Sequence, residues 1–256
     1  MVKKRLIGLI TIKNDLAVQS FSYNNYLPLG KPECLIENLD RWGADEILIQ
    51  VIDRTKKDIG PDFELLKRIG QLKITTPLIY CGGIRNHLDA INIIKHGADR
   101  IIVDSLIRKN QKEIPKISKS IGSQAIIASL PILKIDDELY LFDYEKGTSQ
   151  IINEELIKSI TNLNLVSEVL LINKEKEGFP KSFDTNLIKL FPKIDANLIV
   201  FGGISDNNQI KKILNNDRIS AIAIGNSLNY KEHSIQSIKD SLNSKNIRKP
   251  KYDSNI

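Results

Sequence analysis

Two short glycine motifs have the residue types and spacing that could bind an anion. Cys-Gly-Gly-Ile occupies residues 81–84 and Phe-Gly-Gly-Ile occupies residues 201–204, so the two motifs lie 120 residues apart. Each follows a short run of aliphatic residues, where glycines let backbone N–H groups approach an anion without a Cβ atom in the way. The motifs therefore predict two phosphate-binding loops, with a simple strand-to-loop turn as the structural alternative.

Residues after the next strand are expected to complete each site. A serine follows each glycine pair after a similar interval, and the loops after neighbouring parallel strands meet at one end of a barrel. The residues assigned to the first site are Gly82, Gly83, Asp104 and Ser105, and those assigned to the second are Gly202, Gly203, Gly225, Asn226 and Ser227. Asp104 is the exception, because a carboxylate repels a phosphate unless it is paired or bonds to a ribose hydroxyl. Two such sites suit a small molecule phosphorylated at both ends.

Short β-branched segments alternate with longer amphipathic segments, which is typical of parallel strands joined by crossover helices. The predicted strands are Arg5–Ile12, Glu46–Ile52, Pro77–Cys81, Arg100–Asp104, Gln124–Leu130, Glu168–Asn173, Asn197–Phe201 and Ile219–Ile224. Residues 61–72 and 86–97 carry apolar side chains at steps of three and four, which predicts helices between strands. Eight such units favour a (β/α)8 TIM barrel. A doubly wound open sheet is the alternative, although no Gly-x-Gly-x-x-Gly motif follows the first strand.

The chain also carries an internal repeat. Residues 77–84 (PLIYCGGI) align without a gap with residues 197–204 (NLIVFGGI), and the same 120-residue offset places later isoleucines on isoleucines. This repeat predicts two half-barrels of four βα units each. We expect one barrel domain over residues 1–244 and a basic tail over residues 245–256.

Composition excludes several classes of protein. The 256 residues include 37 basic and 31 acidic side chains, a net charge of +6 that is spread along the chain without interleaved aromatic residues, which argues against nucleic-acid binding. No apolar stretch reaches the roughly 18–20 residues of a membrane span, and the first residues lack the pattern of a signal peptide. We expect a cytoplasmic protein without a membrane span. Cys34 and Cys81 match no metal-ligand spacing, so they are expected to be core or pocket thiols, with no metal and no cofactor.

Segments along nearly the whole chain resemble the HisF family, the cyclase subunits of imidazole glycerol phosphate synthase. They are KRLIGLITIKN, GADEILI, PLIYCGGI, HGADRIIVDS, GSQAII, FDTNLI and FGGI, in that order. The resemblance implies a barrel with two-fold half-barrel symmetry and a HisH-like glutaminase partner that makes ammonia. In that family, ammonia passes through the barrel to the opposite face, where it joins a bisphosphorylated substrate with cyclisation and cleavage.

The residues that do acid–base chemistry in this family are missing here. The family has two aspartates near the ends of strands one and five, one acting as acid and the other as base. Carried over residue by residue, these positions are Thr11 and Pro131, which again lie 120 residues apart, and neither side chain can do that work. Gln19 stands where the family usually has a lysine. Asp53, at the end of strand two, remains a candidate carboxylate at the substrate face, with a loop cap as the structural alternative.

The opposite face retains the charges that the family uses. The resemblance implies an ammonia gate of alternating charges at the starts of strands one, two, four and six, formed by Arg5, Glu46, Arg100 and Glu168. Four charges inside a barrel are costly to bury unless they are paired with one another, so a purely structural salt-bridge plug is the alternative. Asp99, beside Arg100, is expected to face a docking partner.

The combination of retained ammonia-side charges and lost aspartates resembles HisF relatives from surface-polysaccharide gene sets. Those relatives are associated with sugar amidation, beside a glutaminase and a separate sugar amidotransferase, and residues 60–69 (GPDFELLKRI) carry the resemblance together with PLIYCGGI. We expect a subunit that docks a glutaminase and delivers ammonia for amidation of a nucleotide-linked or surface-polysaccharide sugar. One alternative is an authentic cyclase subunit of histidine biosynthesis, a lyase, with relocated acid–base groups. The other is a non-catalytic scaffold that binds a phosphorylated ligand.

Overall fold

The computed structural model of the chain describes residues 3–161, 165–242 and 247–250. Side chains at residues 159–161 are outside this description. The predicted boundary at residue 244 and most of the predicted tail, residues 245, 246 and 251–256, also lie outside the described residues.

The described residues form twelve strands in one sheet. The strands are β1 (Arg5–Lys13), β2 (Leu16–Phe21), β3 (Asn25–Gly30), β4 (Glu46–Val51), β5 (Leu78–Cys81), β6 (Arg100–Val103), β7 (Ile126–Ile135), β8 (Glu138–Asp143), β9 (Thr148–Ile151), β10 (Glu168–Asn173), β11 (Asn197–Phe201) and β12 (Ile219–Ile224). Eight of them, β1, β4, β5, β6, β7, β10, β11 and β12, pair in parallel, and the pairing of β10 with β7 closes the ring. The predicted (β/α)8 TIM barrel is confirmed.

Helices connect the barrel strands. The α-helices of the described part are α1 (Pro32–Arg41), α2 (Arg54–Lys57), α3 (Phe63–Gly70), α4 (His87–Lys95), α5 (Ser105–Lys109), α6 (Glu113–Ile121), α7 (Glu154–Thr161), α8 (Asn186–Leu190), α9 (Asn207–Leu214) and α10 (Ser234–Leu242). The two helices predicted from apolar spacing are α3 and α4. Asn86 caps α4 by accepting hydrogen bonds from two backbone N–H groups of its first turn, and Gly97 follows its end with a φ of 100°.

The strand predictions were most accurate for the last three barrel strands and least accurate for the fifth. The last three barrel strands, β10 to β12, have the predicted bounds. The fifth barrel strand, β7, begins at Ile126 rather than Gln124, because residues 123–125 form a turn of 3-10 helix, and it continues to Ile135. Pro131 therefore lies within β7 and not just after it.

Two β-hairpins were not predicted. Strands β2 and β3 follow β1, and β8 and β9 follow β7, so each half-barrel carries a hairpin after its first strand. Asn14 and Asp15 join β1 to β2 with φ angles of 49° and 63°, the left-handed conformations of a tight hairpin turn. The hairpins extend the sheet beyond the carboxyl ends of the barrel strands, which we call the mouth of the barrel.

Two apolar cores lie on the two sides of the barrel wall, because successive side chains of a strand face opposite sides. Ile7 and Leu9 of β1 face the barrel interior, whereas Leu6 and Ile10 pack with the helices. The interior core consists of Ile7, Leu9, Leu48, Ile79, Cys81, Ile102, Ile127, Leu170, Ile172, Ile199, Phe201, Ala221 and Ala223. Cys81 is thus the buried thiol that was predicted, while Cys34 is exposed, contrary to expectation.

Candidate functional site

Four charged side chains close a ring at the amino-terminal ends of the barrel strands. Arg5 lies 3.2 Å from Glu46 and is also ion-paired with Glu168. Arg100 lies 3.1 Å from Glu46 and 2.7 Å from Glu168, so each arginine bridges both glutamates. The four residues predicted for the gate are therefore brought together. We call them the charge ring.

Burial of the charge ring is offset by pairing. Its side chains are only 7–16% exposed, so each charge would be costly without its partners. Two serines beside the ring add hydrogen bonds, because Ser220 donates to Glu168 and Ser167 accepts from Arg100 at 2.8 Å. Burial would raise the pKa of Glu168, but attraction to Arg5 and Arg100 outweighs it and holds this pKa below its usual range. Glu168 therefore keeps its negative charge inside the ring.

Asp99 lies beside the charge ring, on the exposed surface. One of its carboxylate oxygens accepts a hydrogen bond of 2.8 Å from the N–H group of Leu78, at the start of β5. Asp45 does the same for Leu6 of β1 over 2.8 Å, and it also binds Lys239. Part of the role of Asp99 is therefore to fix the start of a strand, and its exposure leaves it accessible to a partner.

The mouth lies beyond the apolar interior, at the other end of the barrel. Here the tips of the two hairpins bring Tyr23 and Tyr144 together, with ring centroids 5.2 Å apart. The hydroxyl of Tyr23 donates to the side chain of Gln50 over 2.9 Å, and its ring packs on the interior core. Two tyrosine rings therefore partly fill the mouth.

The two positions where the family has aspartates are on barrel strands close to this end. Thr11 is buried and lies opposite Gln50 of β4, while Pro131 lies opposite Ile172 of β10. Neither Thr11 nor Pro131 can exchange a proton in the relevant range. Gln19 is buried in β2, also without an ionisable group.

Asp53 anchors a loop rather than standing free. Its carboxylate lies 2.7 Å from the ammonium group of Lys57 in α2 and accepts a longer hydrogen bond, 3.4 Å, from the backbone of Asn14. The helix that follows Asp53 receives no side-chain cap from it. These contacts tie the turn between β1 and β2 to α2.

Glu177 is a buried carboxylate that sequence reasoning did not assign to the site. It accepts hydrogen bonds from the Ser20 hydroxyl, at 2.9 Å, and from the backbone N–H of Tyr23, at 3.1 Å. Burial raises the pKa of Glu177 to about 7, against the effect of these hydrogen bonds. The next residue, Gly178, has a φ of 85°, and a Cβ atom there would come within 2.0 Å of the Ser20 carbonyl oxygen. The loop after β10 is therefore fitted closely to the first hairpin.

Asp104 is a second mouth carboxylate, at the end of β6. It is paired with Arg108 of α5 at 2.7 Å, and Arg108 also lies 3.7 Å from Asp143 of the second hairpin. Burial raises the pKa of Asp104, although attraction to Arg108 opposes this effect. The pairing reduces the repulsion that Asp104 would exert on a phosphate.

The first predicted phosphate site coincides in part with a cavity of about 330 Å³. Gly83 and Ser105 line it, together with three cationic side chains, Arg54, Arg85 and Lys109. The Gly83 N–H group donates to the Thr55 hydroxyl at 3.1 Å, so this amide already has a partner. Asp58 is the carboxylate in the wall, so the cationic side chains outnumber it by three to one, and an anion is the ligand that this charge favours. We call it the cationic cavity.

The second predicted phosphate site coincides with a cavity of about 290 Å³. Gly203, Gly225, Asn226 and Ser227 line it, whereas Gly202, which was assigned to the same site, does not. Its other walls carry four aromatic side chains, Phe21, Phe179, Phe201 and Tyr230. We call it the aromatic cavity.

The first glycine of each pair has a packing role. A Cβ atom on Gly82 would lie 2.2 Å from the carbonyl oxygen of Val51, and one on Gly202 would lie 2.4 Å from that of Asn173. Both glycines also have positive φ angles, 132° and 106°. The strand-to-loop turn requires glycine at these two positions whether or not a ligand binds. The second glycines are restricted in the same way, since a Cβ atom on Gly83 would lie 2.3 Å from the Gly60 carbonyl oxygen and one on Gly203 would lie 2.8 Å from the Phe183 amide nitrogen.

The structure adds two negative observations. Within the described ranges, no group of three or more His, Cys, Asp or Glu side chains could hold a metal ion. No helix of the described part is long and apolar enough to cross a membrane.

The mouth residues that sequence reasoning missed are in the hairpins and the loop after β10. They are Gln50, Tyr23, Tyr144 and Glu177. A signal for the hairpins was present: residues 16–21 and 138–143 are short strand-like segments that each follow an Asn-Asp or Asp-Asp pair, which favours a tight turn. No comparable signal marks Glu177, whose burial arises from contacts between segments far apart in the chain.

Comparison with known proteins gives consistent matches. The family model described as "Histidine biosynthesis protein" matches residues 5–234. A putative imidazole glycerol phosphate synthase subunit hisF2 of Vibrio vulnificus is 28% identical over 242 residues, which cover 93% of this chain and 88% of that protein. A putative imidazole glycerol phosphate synthase subunit HisF of Leptospira interrogans is 26% identical, with coverages of 90% and 92%. The imidazole glycerol phosphate synthase subunit HisF of Bacillus cereus is 24% identical, with coverages of 96% and 98%.

Proposed function

Because the chain belongs to the histidine biosynthesis protein family, we propose that it is a HisF-like barrel subunit that docks a HisH-like glutaminase and conducts ammonia. On this proposal it does not carry out the usual cyclisation. The observation that carries the proposal is a contrast between the two ends of one barrel. The charge ring is complete at one end, whereas Thr11 and Pro131 stand at the family's catalytic positions at the other.

The charge ring supports the ammonia part of the proposal. Four buried charges are a costly way to close a barrel, since well-packed apolar residues of similar volume are often as stable or more so. A ring of separate ion pairs can open when one pair is exchanged for contacts with a docked partner. Beyond the ring lies an interior that is lined by aliphatic side chains, including Ala221 and Ala223, where a small neutral molecule would not be held by charge.

The residues at the mouth support the part of the proposal that says this chain does not carry out cyclisation. Acid–base catalysis requires groups whose protonation state changes near the working pH and that reach the reacting atoms. Thr11 and Pro131 offer neither, and the paired tyrosines Tyr23 and Tyr144 occupy space beside them. Ammonia delivered here would be passed on to an acceptor rather than consumed in ring closure.

The acceptor that we propose is a nucleotide-linked or surface-polysaccharide sugar, aminated by a separate sugar amidotransferase. The cationic cavity supports a phosphorylated ligand at this face. Arg85 and Lys109 line it and are ion-paired with Asp89, at 3.1 Å, and with Glu145 respectively, and Asp58 adds one carboxylate to the wall. Three cationic side chains still outnumber that carboxylate, so a phosphate entering the cavity would gain charge-assisted hydrogen bonds.

Co-purification and a glutaminase assay test this proposal. The tagged full-length chain is expressed with the HisH-like glutaminase from the same genome, and glutamine hydrolysis is measured with and without the barrel. We expect a stable complex and a hydrolysis rate that depends on the barrel. Absence of binding, or an unchanged rate, contradicts ammonia delivery and favours the scaffold that binds a phosphorylated ligand.

An authentic cyclase is the second candidate. The names of the relatives favour it, and the mouth holds two carboxylates with raised pKa values, Asp104 and Glu177, which are candidates for relocated acid–base groups. A turnover assay with ammonium and the family's bisphosphorylated substrate decides between the candidates. We expect no turnover above that of a heat-denatured sample, and appreciable cyclisation establishes the second candidate instead.

A further inference from the structure

The charge ring is not symmetric, because its two glutamates are held to different degrees. Both arginines use the Nη1 atom for Glu46 and the Nη2 atom for Glu168. Nη1 of Arg5 lies 3.2 Å from Glu46. Arg100 lies 3.1 Å from Glu46 but only 2.7 Å from Glu168, so Glu168 is its closer partner.

Two serine hydroxyls reinforce the Glu168 side of the ring. The Nη2 atom of Arg100 donates to the Ser167 hydroxyl at 2.8 Å. The Nη2 atom of Arg5 donates over 3.3 Å to the hydroxyl of Ser220, which in turn donates to Glu168. In the described part of the chain, the carboxylate of the other glutamate is paired with the two arginines and with no hydroxyl.

Ser167 is itself fixed by the neighbouring strand. Its hydroxyl and its backbone N–H group both donate to the carbonyl oxygen of Ile126, at the start of β7, each over 2.9 Å. The hydroxyl oxygen is left as an acceptor for Arg100. Ser167 therefore connects the barrel wall to one arginine of the ring.

Ser220 reaches the ring because β12 carries a bulge. Leu198 of β11 pairs with Ile219 of β12, but the next residue, Ile199, pairs with Ala221. Ser220 is the extra residue between these pairs. Successive side chains of a strand normally face opposite sides, yet Ser220 contacts the ring and Ala221 also faces the barrel interior. Bulges at barrel rims commonly redirect a side chain in this way.

We propose that Ser167 and Ser220 are positioning residues that hold both arginines on Glu168, so that the charge ring opens at Glu46. Either buried glutamate needs a new partner when it is released. Release of Glu46 leaves each arginine with one carboxylate and one hydroxyl. Release of Glu168 would also break its contact with Ser220. The inference rests on the proposed function for one point, that the ring opens when ammonia passes.

Arginine side-chain NMR on the full-length chain tests this assignment, because a guanidinium group that is held by hydrogen bonds rotates more slowly about its Nε–Cζ bond. Arg5→Lys and Arg100→Lys assign the two signals. We expect Glu168→Gln to speed rotation of both groups about tenfold, the scale of one lost hydrogen bond between charged groups. Glu46→Gln, the matched substitution, should change both rates much less.

Substitution of the serines tests the positioning role directly. Ser220→Ala should speed rotation of Arg5 more than that of Arg100, and Ser220→Thr, which keeps the hydroxyl, should restore the native rate. Ser167→Ala should act mainly on Arg100. Ser129→Ala is the control, because Ser129 is a buried serine of β7 that forms no hydrogen bond with the ring among the described residues. General loss of packing would not select one arginine in this way.

Two outcomes overturn the proposal. They are equal acceleration by Glu46→Gln and Glu168→Gln, and rotation rates that both serine-to-alanine substitutions leave unchanged. If Glu168→Gln does not fold, Ser220→Ala and its threonine rescue decide alone. No glutaminase is present in this experiment. Failure to co-purify a glutaminase would therefore reject the proposed function and leave this result standing, whereas unchanged rotation with intact docking rejects the positioning role alone.

Discussion

The rings of Tyr23 and Tyr144 meet edge to face at the mouth of the barrel, with centroids 5.2 Å apart and an interplanar angle of 69°. They come from the tips of two hairpins that follow equivalent strands of the two half-barrels. Their hydroxyl groups differ. That of Tyr23 donates to Gln50, whereas that of Tyr144 is buried without a hydrogen-bond partner in the described part of the chain.

This difference predicts opposite effects for the same substitution. Tyr23→Phe leaves the Gln50 side chain without its donor and should lower the free energy of unfolding by about 1 kcal/mol. Tyr144→Phe removes a buried hydroxyl that has no partner, so unfolding free energy should stay constant or rise by up to about 1 kcal/mol. Urea denaturation of both variants is the measurement. Equal losses of stability would mean that the Tyr144 hydroxyl is satisfied in solution.

The buried carboxyl of Glu177 should make stability depend on pH. Its pKa is about 7 in the folded protein, because of burial, and has the ordinary value of about 4.3 in the unfolded chain. Between these two values the folded protein retains a proton that the unfolded chain has released, so rising pH favours unfolding. The stability that protonated Glu177 contributes is fully present below about pH 4.3 and is lost as the pH rises to about 7. Over this range the free energy of unfolding falls with a limiting slope near 1.4 kcal/mol per pH unit.

Glu177→Gln tests this dependence, because glutamine can still accept from Ser20 and Tyr23 but does not titrate. We expect the free energy of unfolding of the variant, minus that of the native chain, to increase from pH 4.5 to pH 7. Urea denaturation at several pH values gives the difference directly, and other titrating groups cancel. A difference that does not change with pH would show that the pKa of Glu177 is the same in the folded and unfolded states.

The sequence predicted features that depend on strand periodicity and on the internal repeat. Barrel strands such as β10 are continuous apolar runs, as expected for strands covered on both faces, and the charges that begin four of them meet in the charge ring. The hairpins were missed because they are short and partly exposed. Tyr23 and Glu177 meet only through contacts between segments more than 150 residues apart, which no local pattern records.

The Gly-Gly pairs show that one sequence pattern can have two causes, a tight turn after a strand or a ligand site. Gly202 and Gly203 were both expected to bind a ligand, and an added Cβ atom on either would clash with backbone, at Asn173 or at Phe183, but only Gly203 also lines a cavity. Sequence cannot separate these roles, because both use glycine directly after a strand. Likewise, Phe201 of the aromatic cavity precedes a glycine pair at the end of β11, but Phe21, Phe179 and Tyr230 come from the first hairpin and from the segments after β10 and β12, at no regular sequence spacing.

Gly202→Ala should therefore destabilise the barrel in the absence of any ligand. Gly97→Ala is the matched control, since its φ of 100° is close to the 106° of Gly202 but no atom lies within 4 Å of its added Cβ. Both variants bear the strain of a positive φ, about 1 kcal/mol, and only Gly202→Ala adds a clash with backbone. We expect a clearly lower urea midpoint for Gly202→Ala. Equal midpoints would mean that the turn relaxes around the added methyl group and that packing does not require glycine at this position.

Asp99→Asn separates strand fixation from docking. Asparagine keeps an oxygen that can accept from the Leu78 N–H group, so stability should be unchanged while the negative charge is lost. Affinity for the glutaminase should fall severalfold at low salt, as expected for a charge at the rim of an interface. Asp137→Asn is the control, because Asp137 is in the β7–β8 turn at the mouth, the opposite end of the barrel. Equal affinities for the native chain and Asp99→Asn would remove Asp99 from the interface.

The charge ring makes a prediction that separates an ammonia gate from a structural plug. Glu168→Ala leaves Arg5 and Arg100 with one carboxylate between them, so both guanidinium groups must move and the entrance changes shape. The assembled complex is given amide-15N-glutamine or, in parallel, saturating ammonium. We expect product formation from glutamine to fall severalfold, because that ammonia must pass the ring, while formation from ammonium changes little.

The comparison of the two nitrogen sources is what makes this experiment decisive. Loss of a buried partner also lowers stability, by about 3–5 kcal/mol, but instability reduces the active fraction and so lowers both rates alike. Glu33→Ala, which breaks an ion pair with Arg68 outside the barrel interior, controls for loss of an ion pair in general. If the ratio of the glutamine-dependent rate to the ammonium-dependent rate is the same in Glu168→Ala as in Glu33→Ala, the ring is a structural plug. Damage to a plug would lower both rates by the same factor.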